Sequence, residues 1–286
     1  MSAPARPTAD GAAAGAPPQA AAWAWTGSAL EPVDDAAAES DDAEPTAADI
    51  DAATLVADSW LVVDGRVLAL DRHAQRFAGS VDAAGGDALD ARAAVRASTA
   101  LVPAGRWSPR VDLTPGGIRL RIRPAPPVQD SVDVVTAAGD PRAHPLTKGP
   151  DLLALAALQR EESERVGAPV EPVLAPGGRL AEGAWSALLW WRDGVLHVPP
   201  ADVVRLPSVT AAVLAELARL DGTPVVEAAA APADLEGCEV WLANALRGIR
   251  AIGRWHGGPT LAAPTRAAAW RARLDGLRTR PIGAAR

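Results

Sequence analysis

The sequence predicts an α+β protein whose mixed sheets fall into two lobes, and three observations carry that expectation. Two Asp-Gly pairs, Asp64-Gly65 and Asp193-Gly194, each sit between short apolar runs, the strongest short-range hairpin signal. Helical stretches follow both hairpins, at 71–81 and 208–220, and a longer one occupies 151–166. Between the halves lies a segment punctuated by Pro, Gly and Asp that runs to Pro145. A chain of 286 residues suits one large domain or two modest ones.

Taken in order, residues 1–21 are low-complexity Ala, Pro and Gly and read as a disordered tail. They hold one early Arg and no leucine-rich central segment, unlike a signal peptide. Trp23-Ala24-Trp25 alternates as a first strand, followed by an acidic loop to about Asp49. Residues 60–70 form the first hairpin, and the helix at 71–81 carries His73, Arg76 and Phe77. The pattern of 91–101 fits a helix or a strand. GIRLRIR at 117–123 alternates apolar and basic residues as a strand does, and the prolines from Pro124 end it. After the 151–166 helix come a strand at 170–174 and a Pro176-Gly177-Gly178 turn into a strand at 179–183. Residues 185–191 and 195–198 make the second hairpin, whose first arm alternates too little to leave one side in water. Strands at 223–227 and 239–242 and a final helix at 264–277 complete the chain. The lobes divide as a small N-terminal one at 22–135 and a larger C-terminal one at 136–286. No period of 20–50 residues appears, so a solenoid is excluded.

Composition narrows the function. No run of about 18 apolar residues occurs, which rules out a transmembrane helix. The single Cys238 excludes a disulfide framework, and the four histidines are too scattered for a zinc site. A cytoplasmic, metal-free protein is expected. The net charge of −7 is uneven: no basic residue lies between Arg6 and Arg66, and the twelve acidic residues there leave the remainder at about +5. A pI of 5.2 argues against nucleic acid, while the basic remainder suits a small anionic ligand.

Lysine usage is the sharpest signal. Lys148 stands alone against 27 arginines, the pattern a GC-rich coding sequence leaves wherever any positive charge suffices. Arginine cannot replace lysine where a neutral amine must attack, because guanidinium stays protonated. Lys148 lies just before the long helix and just after the segment between the lobes, where partial desolvation would lower its pKa and free its amine. An exposed loop lysine is the plain alternative.

Read together, six segments from about Asp58 to about Gly253 resemble the class IV aminotransferases, the fold type IV pyridoxal-phosphate enzymes. In order they are DGRVLALDRHAQRF, GIRLRIRP, TKGPDLLAL, LAEGAWSALLWWRDGVLHVPP, RLPSVTAAVLAEL and WLANALRGIRAI. The resemblance implies a two-lobed fold type IV enzyme that binds pyridoxal 5'-phosphate, with Lys148 as its Schiff-base lysine. It implies that Glu182 faces the pyridine nitrogen and that Arg76 holds the phosphate. Val209 and Thr210 would hold the same phosphate at a helix N-terminus, and Asn244 would line the pocket. Each has a plainer reading: Glu182 as a surface residue at a turn, Arg76 as a solvated cation, Ser208 or Thr210 as an N-cap, Asn244 as a turn former. A substrate carboxylate could meet Arg119, Arg121, Arg123, Arg247 or Arg250. Trp185, Trp190 and Trp191 read as core and wall.

Three features depart from the family pattern, one being Ala211 after Thr210 where an Arg is frequent. Ser208 stands where the phosphate turn usually has glycine, and the chain has no tyrosine. The implied activity is amino transfer between an amino acid and a 2-oxo acid. A lyase like aminodeoxychorismate lyase, or a cofactor-binding homologue without turnover, are the alternatives. A homodimer is also implied, and the ten tryptophans fit either an interface or a large core.

Overall fold

The structure, a computed structural model, describes residues 21–33 and 53–281. The expected tail up to residue 20 and the acidic loop from residue 34 lie outside the described residues. Strands β1 (Ala21–Trp25), β2 (Leu30–Val33), β3 (Val56–Ser59), β4 (Val62–Val63), β5 (Arg66–Val67), β6 (Arg106–Thr114) and β7 (Gly117–Pro124) form a seven-stranded sheet. Its order is β2-β1-β7-β6-β4-β5, with β3 also on β6. Every pairing is antiparallel, which corrects the expectation of a mixed first sheet. Tight turns join β1 to β2, β4 to β5 and β6 to β7, and strands joined so closely pair antiparallel. Both Asp-Gly turns take the left-handed backbone their hairpins require: Asp64 has φ 48° and Gly65 73°, Asp193 50° and Gly194 77°.

Helices α1 (Leu70–Ala83) and α2 (Ala88–Ser98) cover this sheet, packing Phe77, Val81 and Val95 on Val111, Leu120 and Ile122. The ambiguous stretch at 91–101 is thus helical. Asp87 caps it, its Oδ1 accepting from the amides of Leu89 (2.7 Å) and Asp90 (3.0 Å).

The second sheet has eight strands: β8 (Ser131–Thr136), β9 (Glu171–Leu174), β10 (Glu182–Gly183), β11 (Ala187–Arg192), β12 (Val195–Val198), β13 (Val225–Glu227), β14 (Glu239–Asn244) and β15 (Gly248–His256). It is mixed, with parallel pairs β8–β9, β8–β15 and β12–β13. Helix α3 (Leu152–Val166) crosses between the parallel β8 and β9. Helices α4 (Val209–Leu220) and α5 (Ala267–Gly276) cover one face.

Neighbours on β11 point to opposite faces, and both faces are buried. Trp191 joins Trp241 and Trp270 under α4 and α5, with ring centroids 5.2 to 5.8 Å apart. Trp190 packs on the other side with Leu242 and Trp255. These tryptophans are core, so they lend an interface no support. Two further readings change. β8 begins before residue 136 and belongs to the second sheet, so the crossing between sheets falls at 125–130. Pro176–Gly178 is a short 3-10 turn, and ladder pairing starts only at Glu182, not at residue 179.

Candidate active site

The loop from β8 to α3 carries Lys148 to the seam between the sheets. There the Lys148 carbonyl accepts from the Ala57 amide of β3 at 2.6 Å. Gly149 makes that approach possible. Its φ is 140°, and a Cβ on it would lie 2.9 Å from Ala57 N and from Val56 Cα. Lys148 as a residue is partly buried, and its Nζ donates to Ser59 Oγ at 2.6 Å. Burial around the amine lowers its pKa from the ordinary 10.5 to about 8, with Asp58 opposing and Arg76 and Arg110 assisting. An amine so placed is largely available as a nucleophile in mild base.

All six residues picked from the sequence, Lys148, Glu182, Arg76, Val209, Thr210 and Asn244, line one cavity of about 1210 Å³, its open mouth included. Glu182 is 5% exposed at the start of β10. Its Oε1 accepts from the Leu206 amide at 2.9 Å and from Arg142 Nη1, while Oε2 makes no hydrogen bond among the described residues. Burial pushes its carboxyl up, and Arg142 and the Leu206 amide offset part of that. Arg142 is itself fixed by Asp140, with Nε to Oδ1 at 2.9 Å and Nη2 to Oδ2 at 2.7 Å.

Arg76 projects from α1 and is held by β3. Its Nε and Nη2 donate to the two oxygens of Asp58 at 2.9 and 2.8 Å, and Nη1 donates to the Pro207 carbonyl at 3.1 Å. Asp58 also pairs with His73 Nδ1 at 2.9 Å. Burial would raise the Asp58 carboxyl, but Arg76 and His73 outweigh it and hold the group far below the carboxylate range. Burial likewise lowers His73, against the pull of Asp58.

Pro207 leads into α4, whose N-cap is Ser208, its Oγ accepting from the Ala211 amide at 3.2 Å. The Ser208 backbone sits at φ −74°, ψ 122°, open to any residue, so this turn does not require glycine. The next two amides, of Val209 and Thr210, have no acceptor among the described residues. Together with Arg76 they form a cup for an anion. Asn244 is a turn former as well as a wall. Its Oδ1 accepts from the Leu246 and Arg247 amides at 3.1 and 2.8 Å, and its Nδ2 donates to Ser186 Oγ at 3.1 Å.

Of the arginines considered for a carboxylate, Arg123, Arg247 and Arg250 reach the cavity and Arg119 and Arg121 do not. Arg250 is already bound to Glu171 and Ser186. Sequence reasoning missed Asp58, Ser59, Arg110 and Arg142. None carries a motif of its own, and each acquires meaning only from the group it meets in the fold: Asp58 from Arg76, Ser59 and Arg110 from Lys148, Arg142 from Glu182. Trp185 lines the cavity beside Leu152 and Leu155, as a wall.

The chain matches the family model for amino-transferase class IV over residues 55–255, more than two thirds of its length. None of the curated proteins matches it in sequence. Among solved structures it is similar to a hypothetical aminotransferase from Mycobacterium tuberculosis, with TM-scores of 0.73 and 0.72 for its apo and PLP-bound forms. Both are 21% identical, with 90% of this chain and 98% of that one covered. It is similar to the fold IV-transaminase CpuTA1 from Curtobacterium pusillum, at TM-score 0.67 and 22% identity, over 90% and 98% of the two chains. The T.th. branched-chain amino acid aminotransferase, complexed with N-(5'-phosphopyridoxyl)-L-glutamate, aligns at TM-score 0.70 and 17% identity, over 91% and 98%.

Proposed function

We propose, from the premise that the chain belongs to the class IV amino-transferase family, that it is a pyridoxal 5'-phosphate-dependent aminotransferase acting on an amino acid and a 2-oxo acid. One observation carries the reading: a lysine amine of lowered pKa, an open carboxylate oxygen and a cup of unpaired amides line the same cavity. That donor set fits the cofactor. Arg76 and the Val209 and Thr210 amides would hold its phosphate. Glu182 Oε2 would accept from its ring nitrogen, and Arg142 holds Glu182 in place for that contact. When bound, the cofactor supplies a carbonyl for the amino group and a ring that withdraws electrons from the substrate α-carbon.

The rest is the chain's own work. Lys148, as its free amine, would take the proton from the substrate α-carbon, hold it at Nζ and give it back. Ser59 holds that amine by its hydroxyl. Leu152, Leu155, Trp185 and Leu206 keep water from one side of the cavity. The same residues would serve a lyase, so a donor experiment separates the activities. Incubating the cofactor-loaded chain with single amino acids converts bound pyridoxal to pyridoxamine and yields the matching 2-oxo acid. Release of pyruvate and an aromatic amine from an aminodeoxychorismate-type substrate, with no pyridoxamine formed, would replace this reading with the lyase.

The reading includes two lobes divided at 125–130, a cytoplasmic setting and a homodimer. Support for the dimer comes from Leu146, 60% exposed between the cavity-lining Pro145 and Thr147, and from Val204, 52% exposed two residues before the cavity-lining Leu206, as a partner's wall would leave them. Among the described residues no helix is long and apolar enough to cross a membrane.

A further inference from the structure

A second cavity, of about 440 Å³ with its mouth, lies where the two sheets meet on the far side of the 244–248 turn. Four arginines from four segments line it: Arg106 at the start of β6, Arg247 in the turn, Arg271 on α5 and Arg278 beyond its end. One carboxylate, Asp275, lines it with them. In a chain with 27 arginines, four solvated charges would be unremarked. Arg106 is exposed, but two of the others are not simply solvated. The side chains of Arg271 and Arg278 are 21% and 7% exposed.

Neutral acceptors hold much of the cluster. Asp130 O and Ile249 O accept from Arg271 at 3.1 and 3.3 Å, Leu61 O from Arg278 at 3.5 Å, and Gln129 Oε1 from Arg247 at 2.9 Å. A guanidinium oriented by carbonyls keeps its full charge while it loses water, and an anion offsets that cost. Among the described residues, the carboxylates that pair with Arg278 and Arg271, Asp275 at 3.0 Å and Asp130 at 3.3 Å, are themselves 65% and 67% exposed and weakened by solvent. Arg106 has no side-chain hydrogen bond or ion pair among the described residues. Among the described residues the lining therefore holds more arginines than carboxylates, Arg106 from the first sheet's side and the other three from the second's.

We propose that this cavity binds a small oxyanion, a phosphate group either free or carried on a small metabolite. It is separate from the anion cup at α4, although Leu246 and Arg247 belong to the walls of both cavities. The site does not depend on the proposed reaction. Its test is a calorimetric titration with inorganic phosphate, and in parallel with glycerol 3-phosphate, in chloride buffer of fixed ionic strength. The chain is first loaded with one equivalent of pyridoxal phosphate and freed of unbound cofactor, so that the cup at α4 is filled and the second cavity is left open. Should it take up none, the Arg76→Ala chain is titrated instead.

One site per chain is expected, and tighter binding of the ester than of the free ion identifies a carried phosphate, the reverse order a free one. Arg106→Ala weakens binding at least about tenfold, the scale of one charge-assisted hydrogen bond. Asp275→Asn tightens it, because a competing carboxylate is gone, whereas a purely structural loss would weaken it. Arg72→Ala, which removes an exposed arginine paired with Glu216, leaves it unchanged. No measurable binding, or equal affinity in the Arg106→Ala chain, overturns the proposal.

Discussion

A lone lysine among arginines is informative at the residue scale because the two cations differ in one respect that chemistry can use. Lysine can lose its proton, and the seam between the sheets helps Lys148 do so, chiefly by burial and then by the nearby positive charges of Arg76 and Arg110. The sign is definite. The amine is mostly protonated below its folded pKa of about 8 and mostly neutral above it. Capture of added pyridoxal phosphate by the apo chain, followed by absorbance, is therefore expected to accelerate with pH through an inflection near 8 and then level off. An inflection near 10.5, the ordinary lysine value, would show an amine in water instead. The same shift bears on stability. Between 8 and 10.5 the unfolded chain binds more protons at this lysine than the folded one, so its contribution to stability rises with pH across that window.

Among the elements, the loop that bears Lys148 is fixed by a glycine. Gly149→Ala forces a side chain against the backbone of β3 at a φ that L-residues avoid, and is expected to cost about 1–3 kcal/mol. It should also weaken cofactor binding, because the Lys148–Ala57 contact opens. Gly139→Ala, in open space in the same loop, should stay within about 0.5 kcal/mol in chemical denaturation. Equal stabilities would detach the glycine from the site.

Sequence legibility also varied by element. Both Asp-Gly hairpins and the helices at α1, α3, α4 and α5 were readable, because turn chemistry and apolar spacing are local. Strand β6 was not. Pro109 interrupts it, and Arg110 and Asp112 break its apolar pattern, yet all three are tolerated inside: the two charges neutralise each other, with Arg110 Nε 2.7 Å from Asp112 Oδ1. Strand β8 was hidden by the Pro, Gly and Asp around it, and its place between β9 and β15 is a tertiary fact. The site was legible as an ordered series of motifs. Asp58 and Arg142, which hold Arg76 and Glu182, were not, since an ion pair across 18 or 40 positions leaves no local trace.

For the whole molecule, the buried tryptophans divide between the two cores, Trp60 and Trp107 in the first and Trp190, Trp191, Trp241, Trp255 and Trp270 in the second, leaving the exposed Leu146 and Val204 as the support for the proposed dimer. Light scattering of the cofactor-loaded chain is expected to give about 59 kDa, twice the 29.3 kDa of one chain. A monomer at micromolar concentration, with turnover intact, would remove the dimer from the account. The central claim is that Lys148 carries the cofactor, and its being the only lysine makes one measurement decisive. Borohydride reduction of the chain saturated with pyridoxal phosphate, followed by peptide mapping, should fix one pyridoxyl group per chain on the peptide containing Lys148 and none in Lys148→Ala. A pyridoxyl group on the N-terminal amine alone, or equal labelling of the Lys148→Ala chain, would contradict it.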